Sequence, residues 1–301
     1  MKKTVIKTTV IGSYPVQPDN MAFMKNYFDQ TVDISWEKNI ETAVNDMLGA
    51  GIDIITDGQT RDPMIQLFTR KLDGCRVRGR AEIINKIRYR EPVTVEDQKY
   101  VRSLLPKDRK LKGVITGPYT LARSCIDLYY SDEKQEAFDF ASALKQEAEL
   151  LQKHVDMLSM DEPFFSDSVP EYGKNLIKTV AQNISLPTAL HVCGDTSKAI
   201  PDLIEMPVDI LCLEFKGTPK LFDVLKDYSF PQRICLGSVR SDDSRVESTE
   251  EIVEHIKKAI SIFGDKIVQI SPDCGQRMLS RKTAYQKLRN LVKAGEIINA
   301  R

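Results

Sequence analysis

The sequence predicts a (β/α)8 barrel, an expectation that rests on three observations. Eight short apolar runs rich in β-branched residues are spaced along the chain, segments with helical apolar periodicity lie between them, and four candidate metal ligands fall at or just after the ends of three of the runs. In a barrel of parallel strands the C-terminal strand ends form one rim, so residues far apart in sequence meet there.

The runs occupy residues 5–11, 53–56, 113–116, 156–160, 188–192, 209–213, 233–236 and 267–270. Apolar residues recur with helical spacing over 36–48, 133–154, 176–182, 249–263 and 283–294. Two helix starts carry chemical signals. Ser248 stands three residues ahead of Glu251, the pattern of a capping box, and Pro170 precedes the stretch at 176–182. Residues 76–97, RVRGRAEIINKIRYREPVTVED, alternate charged and apolar positions without a helical stripe. They read as a β-hairpin inserted after the second barrel unit and projecting from the same rim, its charges keeping its edges soluble. With no internal repeat, low-complexity tract or flexible linker, a single catalytic barrel domain over residues 1–301 is expected.

At 301 residues with 42% hydrophobic content the chain can bury a large core. Its 43 basic and 43 acidic residues cancel, which leaves no electrostatic basis for binding nucleic acid or a membrane surface. Small molecules or proteins remain as partners. At the N-terminus, Lys7 and neighbouring threonines interrupt the apolar residues before a signal-peptide core forms, and no run approaches the roughly 20 residues that span a bilayer. A soluble, cytoplasmic protein is expected. Six cysteines at irregular spacing, none in a CxxC pair, suit a reducing compartment in which thiolates stay free for metal.

His191, Cys193, Glu214 and Cys274 are the candidate ligands. Structural zinc sites come as tight ligand pairs, whereas catalytic sites gather ligands from several elements and keep one position exchangeable. Two thiolates, an imidazole and a carboxylate favour Zn2+ over magnesium or calcium, with Glu214 the ligand most easily displaced, and an incoming thiol would complete a sulfur-rich site. Cys75, Cys125, Cys212 and Cys235 read as packing residues. His255, among Glu250, Glu251 and Lys257, reads as part of a solvated helix face. Asp195 is placed to orient His191 through a hydrogen bond. Asp161 and Glu162 are adjacent on one strand and project to opposite faces, so one of them faces the barrel mouth.

IGSYP (11–15), TDGQTR (56–61), TGPYTL (116–121), MDEP (160–163), HVCGD (191–195), LEF (213–215) and PDCG (272–275) occur in the order seen in the catalytic barrel of cobalamin-independent methionine synthase. On those residues, and over nearly its whole length, the chain resembles the short "core" form of that family found in archaea and some anaerobic bacteria. The resemblance implies that His191, Cys193, Glu214 and Cys274 bind Zn2+, that Ile11, Gly12 and Ser13 hold the amino-acid end of L-homocysteine, and that Asp161 binds its ammonium. No catalytic residue beyond the metal site is implied. The reaction implied is methyl transfer to the homocysteine sulfur, forming methionine. A free thiol with a pKa of about 8.5 is mostly protonated at neutral pH, and coordination to zinc holds it as the thiolate.

Two positions depart from the full-length family. Gln59 stands where those enzymes carry Glu, which removes a negative charge from the ammonium pocket. Asp242, in SVRSDDSRVE, is the counterpart of a His thought to protonate the departing folate. The donor expected here is therefore a methylcobamide, free or carried on a corrinoid protein, because cob(I)alamin leaves without needing a proton. Gln59 keeps open another thiol acceptor such as coenzyme M. An alternative of a different class is a non-catalytic zinc- or corrinoid-binding protein.

Overall fold

The computed structural model describes residues 5–16 and 36–300. Residues 1–4, part of the stretch read for a signal-peptide core, lie outside them. Among the described residues eight parallel strands form the barrel wall: β1 (Lys7–Thr8), β2 (Ile54–Ile55), β3 (Lys110–Thr116), β4 (Met157–Asp161), β5 (Thr188–Val192), β6 (Ile210–Leu213), β7 (Arg233–Val239) and β8 (Ile267–Pro272). Each lies on one of the eight runs expected from the sequence. The hydrogen-bonded order is β1-β8-β7-β6-β5-β4-β3-β2, and a parallel bridge between Thr9 and Ile54 closes the ring.

That closing seam is short, and side chains reinforce it. The Asp53 carboxylate accepts from Thr8 N–H at 2.9 Å, Thr8 Oγ1 at 3.0 Å and Lys7 Nζ at 3.2 Å, while Thr9 Oγ1 donates to the Ile54 carbonyl at 2.9 Å.

Side chains alternate across each strand, so every second residue points into the barrel. Ile11, Ile54, Met157, Ala189, Ile210, Cys212 and Cys235 form an inner apolar cluster. A larger cluster, including Ile40, Met47, Leu144, Leu190 and Leu288, fills the layer between strands and helices. The inner wall holds a row set by register: Asp161 pairs with His191, His191 with Cys212, and Cys212 with Cys235. In-register neighbours share a face, so this row places Asp161 beside His191 at the C-terminal end.

The main outer helices are α1 (Trp36–Ala50), α2 (Val95–Leu104), α3 (Glu133–Leu151), α4 (Gly173–Ala181), α5 (Thr249–Phe263) and α6 (Arg281–Ala300). The capping box forms at the start of α5: Glu251 N–H donates to Ser248 Oγ at 3.2 Å and Ser248 N–H to Glu251 Oε2 at 2.8 Å. α4 begins three residues earlier than its apolar periodicity suggests, with the Gly173 N–H turned back onto the Pro170 carbonyl at 2.7 Å. No helix among the described residues is long and apolar enough to cross a membrane.

The inserted hairpin corrects the expectation for residues 76–97. Its strands are Leu72–Arg78 and Arg80–Tyr89, joined at Gly79, whose φ of 73° suits the tight turn, and a short strand at Ile126–Asp127 pairs parallel to the second. The hairpin thus starts four residues earlier and ends at Tyr89, while residues from Val95 onward belong to α2. It follows β2 and the short helix Met64–Thr69 and precedes α2. Val95, Asp97, Gln98 and Val101 are the buried residues of α2, and the charge of Asp97, with Glu96 and Lys99 beside it, masks that periodicity in the sequence. The hairpin lies along α3, where Tyr89 OH donates to Glu147 Oε2 at 3.0 Å and Glu147 also accepts from Val93 and Thr94 N–H.

His255 also departs from its expected place on a solvated face. Its ring stands edge-on to Phe222 at 5.4 Å, and its Nε2 lies 2.9 Å from the Gly237 carbonyl. Burial holds this imidazole neutral, with its pKa lowered to about 4.

Two tests follow from these contacts. Ser248→Ala is expected to cost about 1 kcal/mol of unfolding free energy in a urea titration. For His255, the unfolded chain takes up a proton from the ordinary value of 6.5 downward, whereas the folded chain resists until about pH 4. Stability is therefore full above about pH 6.5 and falls as the pH drops through that window. His255→Gln should flatten the pH dependence there by up to one proton; an unchanged slope would mean that the ring is not held neutral.

Candidate metal centre

β5 ends at Val192, so His191 points into the barrel from its last turn and Cys193 follows at the rim with the same parity. Cys193 Sγ lies 2.9 Å from His191 Nε2 and 2.7 Å from Cys274 Sγ, which arrives from the loop after β8. One donor atom from each of the three lies within 4.8 Å of the others. His191 Nδ1 is 3.1 Å from the Cys212 carbonyl on β6. With Nδ1–H donating there, it is Nε2 that faces the sulfurs, and loss of its proton, which a bound metal would enforce, turns it into a donor.

Glu214, the fourth candidate, stands one residue past β6 and outside this tight group. Burial raises its pKa, the Gly194 N–H lowers it, and the charge of Cys274 raises it, so its carboxylate is in the electrostatic range of the cluster. Asp273, just before Cys274, is buried and accepts from Lys216 N–H at 3.1 Å and Gly217 N–H at 2.7 Å, tying the loop after Glu214 to the end of β8. Burial nevertheless pushes its pKa up to about 8.

The three clustered groups redistribute their protons. Burial disfavours the charged imidazole, but the hydrogen bond and charge of Cys274 outweigh it and bring the His191 pKa up to about 9. Cys274 is lowered, first by the hydrogen bond from Cys193, against a burial penalty, and Cys193 is raised correspondingly. Two sulfurs and an imidazole nitrogen, with the second ring nitrogen anchored to a carbonyl, form a donor set that fits Zn2+.

Asp161 and Glu162 separate as strand geometry requires. Glu162 turns away and accepts from Tyr119 N–H, Thr120 N–H and Thr120 Oγ1, capping the short helix Pro118–Ser124. Asp161 faces the barrel interior beside His191; burial raises its pKa to about 6, while His191 and Lys112 oppose the rise. Lys112 is a buried cation that the sequence reading missed, its Nζ donating to the Val10 carbonyl. A lysine one residue before the third run, in inward parity with Val114 and Thr116, was the available signal.

Ile11, Gly12 and Ser13 follow the closing seam and meet the loops after β2 and β8. The Gly12 carbonyl accepts from Thr56 Oγ1 at 3.2 Å and the Ser13 carbonyl from Gln276 N–H at 2.7 Å. Gln59 lies across Gly12 so closely that a Cβ there would come within 2.5 Å of Gln59 Oε1. Gln59 itself holds φ of 44°, and its backbone carbonyl accepts from the Arg277 guanidinium. The buried Nε2 atoms of Gln59 and of Gln276 have no hydrogen-bond partner among the described residues. Gln276, two residues beyond Cys274, was not singled out from the sequence and carries no local signature there.

One expected role changes. Asp195 does not orient His191: it is exposed and bonds Ser197 N–H at 3.1 Å, Ser197 Oγ at 2.6 Å and Lys220 at 2.5 Å. The Cys212 carbonyl takes that role, because the in-register neighbour strand brings a main-chain acceptor closer than the loop can bring a side chain. Asp242 is exposed and held bidentate by Arg240 at 2.8 and 2.7 Å, which lowers its pKa.

Residues 6–297 match the family model described as cobalamin-independent synthase, catalytic domain. The chain is similar to a methionine synthase of Methanocaldococcus jannaschii, 35% identical with 97% of this chain and 99% of that protein covered. It is likewise similar to a methionine synthase of Methanothermobacter marburgensis, 37% identical with 95% and 98% covered. Its fold is similar to that of a B12-independent methionine synthase from Shewanella sp. W3-18-1 in complex with selenomethionine, with a TM-score of 0.82, 22% identity and 98% of each chain covered. A methyltransferase from Methanosarcina mazei aligns with a TM-score of 0.72 at 16% identity, covering 99% of this chain and 95% of that one.

Because Asp195 points away from the cluster, Asp195→Ala is expected to leave the unfolding free energy within about 0.5 kcal/mol of wild type in a denaturant titration. A loss of several kcal/mol would place Asp195 in the supporting network after all.

Proposed function

The chain belongs to the cobalamin-independent methionine synthase family, and from that premise we propose that it transfers a methyl group to the sulfur of L-homocysteine, forming methionine, with Zn2+ held by His191, Cys193, Cys274 and Glu214. The observation that supports this most directly is the convergence of His191, Cys193 and Cys274 within 4.8 Å, with His191 oriented by a carbonyl. Zn2+ in such a set supplies the positive charge that keeps an incoming thiol in its nucleophilic thiolate form near neutral pH.

The protein groups divide the remaining work. The two cysteine sulfurs limit the net positive charge of the centre. Glu214 stands apart from the tight group, with the Gly194 N–H available to its carboxylate, and is the donor most readily exchanged. Asp161, a buried carboxylate, favours a cation and receives the substrate ammonium. The turn at Gly12 and Ser13 offers backbone N–H groups to the substrate carboxylate. Gln59 contributes a neutral amide donor, without a partner among the described residues, beside that turn.

The methyl donor is a methylcobamide, free or carried on a corrinoid protein. Asp242, paired with Arg240 and kept ionised, has no proton for a departing folate nitrogen. In transfer from the cobamide, a sulfur lone pair forms the S–C bond and the Co–C pair stays on cobalt as cob(I)amide, so no proton is required. A second reading, a sulfonate thiol such as coenzyme M as acceptor, is favoured by the Nε2 of Gln59, a donor without a partner among the described residues, which suits an anionic oxygen better than an ammonium.

The test supplies zinc-loaded protein with methylcobalamin or methyltetrahydrofolate as donor and L-homocysteine or coenzyme M as acceptor, and detects the methylated product directly. Methionine from methylcobalamin is expected, with both bound zinc and turnover lost by at least about tenfold in Cys274→Ser. Methionine from the folate alone would overturn the donor assignment, and methylation of coenzyme M alone would overturn the acceptor.

A further inference from the structure

We propose that Ser241 is a positioning residue that fixes the reach of Cys274 toward the metal, an inference resting on the reading of His191, Cys193 and Cys274 as ligands. The ladder between β7 and β8 runs out just before Cys274: its register ends at Val239 opposite Pro272, and the Asp273 N–H makes one more bond to the Val239 carbonyl at 2.8 Å. Where the backbone ladder stops, the Ser241 side chain takes over. Its Oγ accepts the Cys274 N–H at 3.1 Å and donates to the Cys274 carbonyl at 2.7 Å. A single buried hydroxyl thereby holds the main chain on both sides of the Cys274 Cα. Those two bonds limit φ and ψ of Cys274 and so fix the direction in which its Sγ leaves the backbone, toward Cys193 Sγ 2.7 Å away.

Ser241 is itself held from behind. The preceding Arg240 N–H donates to Glu247 Oε1 at 2.8 Å, and Glu247 Oε2 accepts from Lys287 Nζ of α6 at 2.7 Å. Lys287 Nζ also donates to the Arg245 carbonyl, and Asn290 Nδ2 to the Glu247 carbonyl at 2.7 Å. Both members of this ion pair are fully buried. A buried ion pair gives little net stability over a well-packed apolar pair. Its effect here is positional, because it locks both ends of the loop that carries Ser241 onto α6.

The test compares wild type, Ser241→Ala, Ser241→Thr and Cys274→Ser in three measurements: Zn2+ affinity by competition with a chromogenic chelator, the thiolate-to-metal absorption of the Co2+-loaded protein, and the thermal midpoint of the metal-stripped protein. Ser241→Ala is expected to weaken zinc by about 10- to 100-fold and to alter the Co2+ band, as loss of a supporting hydrogen bond does at metal centres. Its metal-stripped midpoint should stay near wild type, and Ser241→Thr, which keeps the hydroxyl, should restore affinity and band. Wild-type affinity and band in Ser241→Ala would overturn the proposal, as would equal losses in the Ala and Thr variants. If Cys274→Ser binds zinc as tightly as wild type, the ligand reading itself falls and the Ser241 proposal with it.

Discussion

Desolvation of acidic groups at one end of the barrel is the constraint to which most of the site answers. Asp161, Glu214, Asp273, Cys193 and Cys274 gather there, and burial raises the pKa of Asp161 to about 6 and of Asp273 to about 8. Each group has a different relief. Asp273 takes two backbone amides, Cys274 takes a sulfur donor and the His191 charge, and Asp161 has Lys112 below it and His191 beside it. The loops after β5, β6 and β8 are tied together by these reliefs. Burial of so many acidic groups in one place favours a positive charge that would keep them ionised.

The barrel and its C-terminal rim were legible in the sequence because strands buried on both faces read as continuous apolar runs. The run at 188–192 coincides with β5, whereas the run at 5–11 shrinks to Lys7–Thr8, since its later residues leave the ladder to form the turn at Gly12. Helix α2 escaped notice because its charged face dominates its composition, and that error also moved the hairpin boundary. The convergence of His191, Cys193 and Cys274 followed from strand ends alone.

The supporting contacts were harder to read, for a physical reason. The group that orients His191 is a main-chain carbonyl, which every residue possesses and no sequence pattern advertises. His255 was misread because its neighbours along the helix are charged, although its own ring meets Phe222 across a helix–helix contact. Lys112 sits where a lysine ordinarily marks a strand's exposed start, and only the inward parity of its position distinguishes it.

The shortness of the seam between β1 and β2 has a thermodynamic consequence. A ladder reduced to one bridge and a few side-chain contacts is drawn from the low-stability end of a fold, where amide protons exchange by local opening rather than global unfolding. The chain passes directly from that seam into Gly12 and Ser13. A ligand that gripped the turn in the closed form alone would suppress opening by RT ln(1 + [L]/Kd). Occupancy of the turn would thereby be coupled to the breathing of the barrel wall, with the concentration of a small molecule at one end setting how often the ring comes apart.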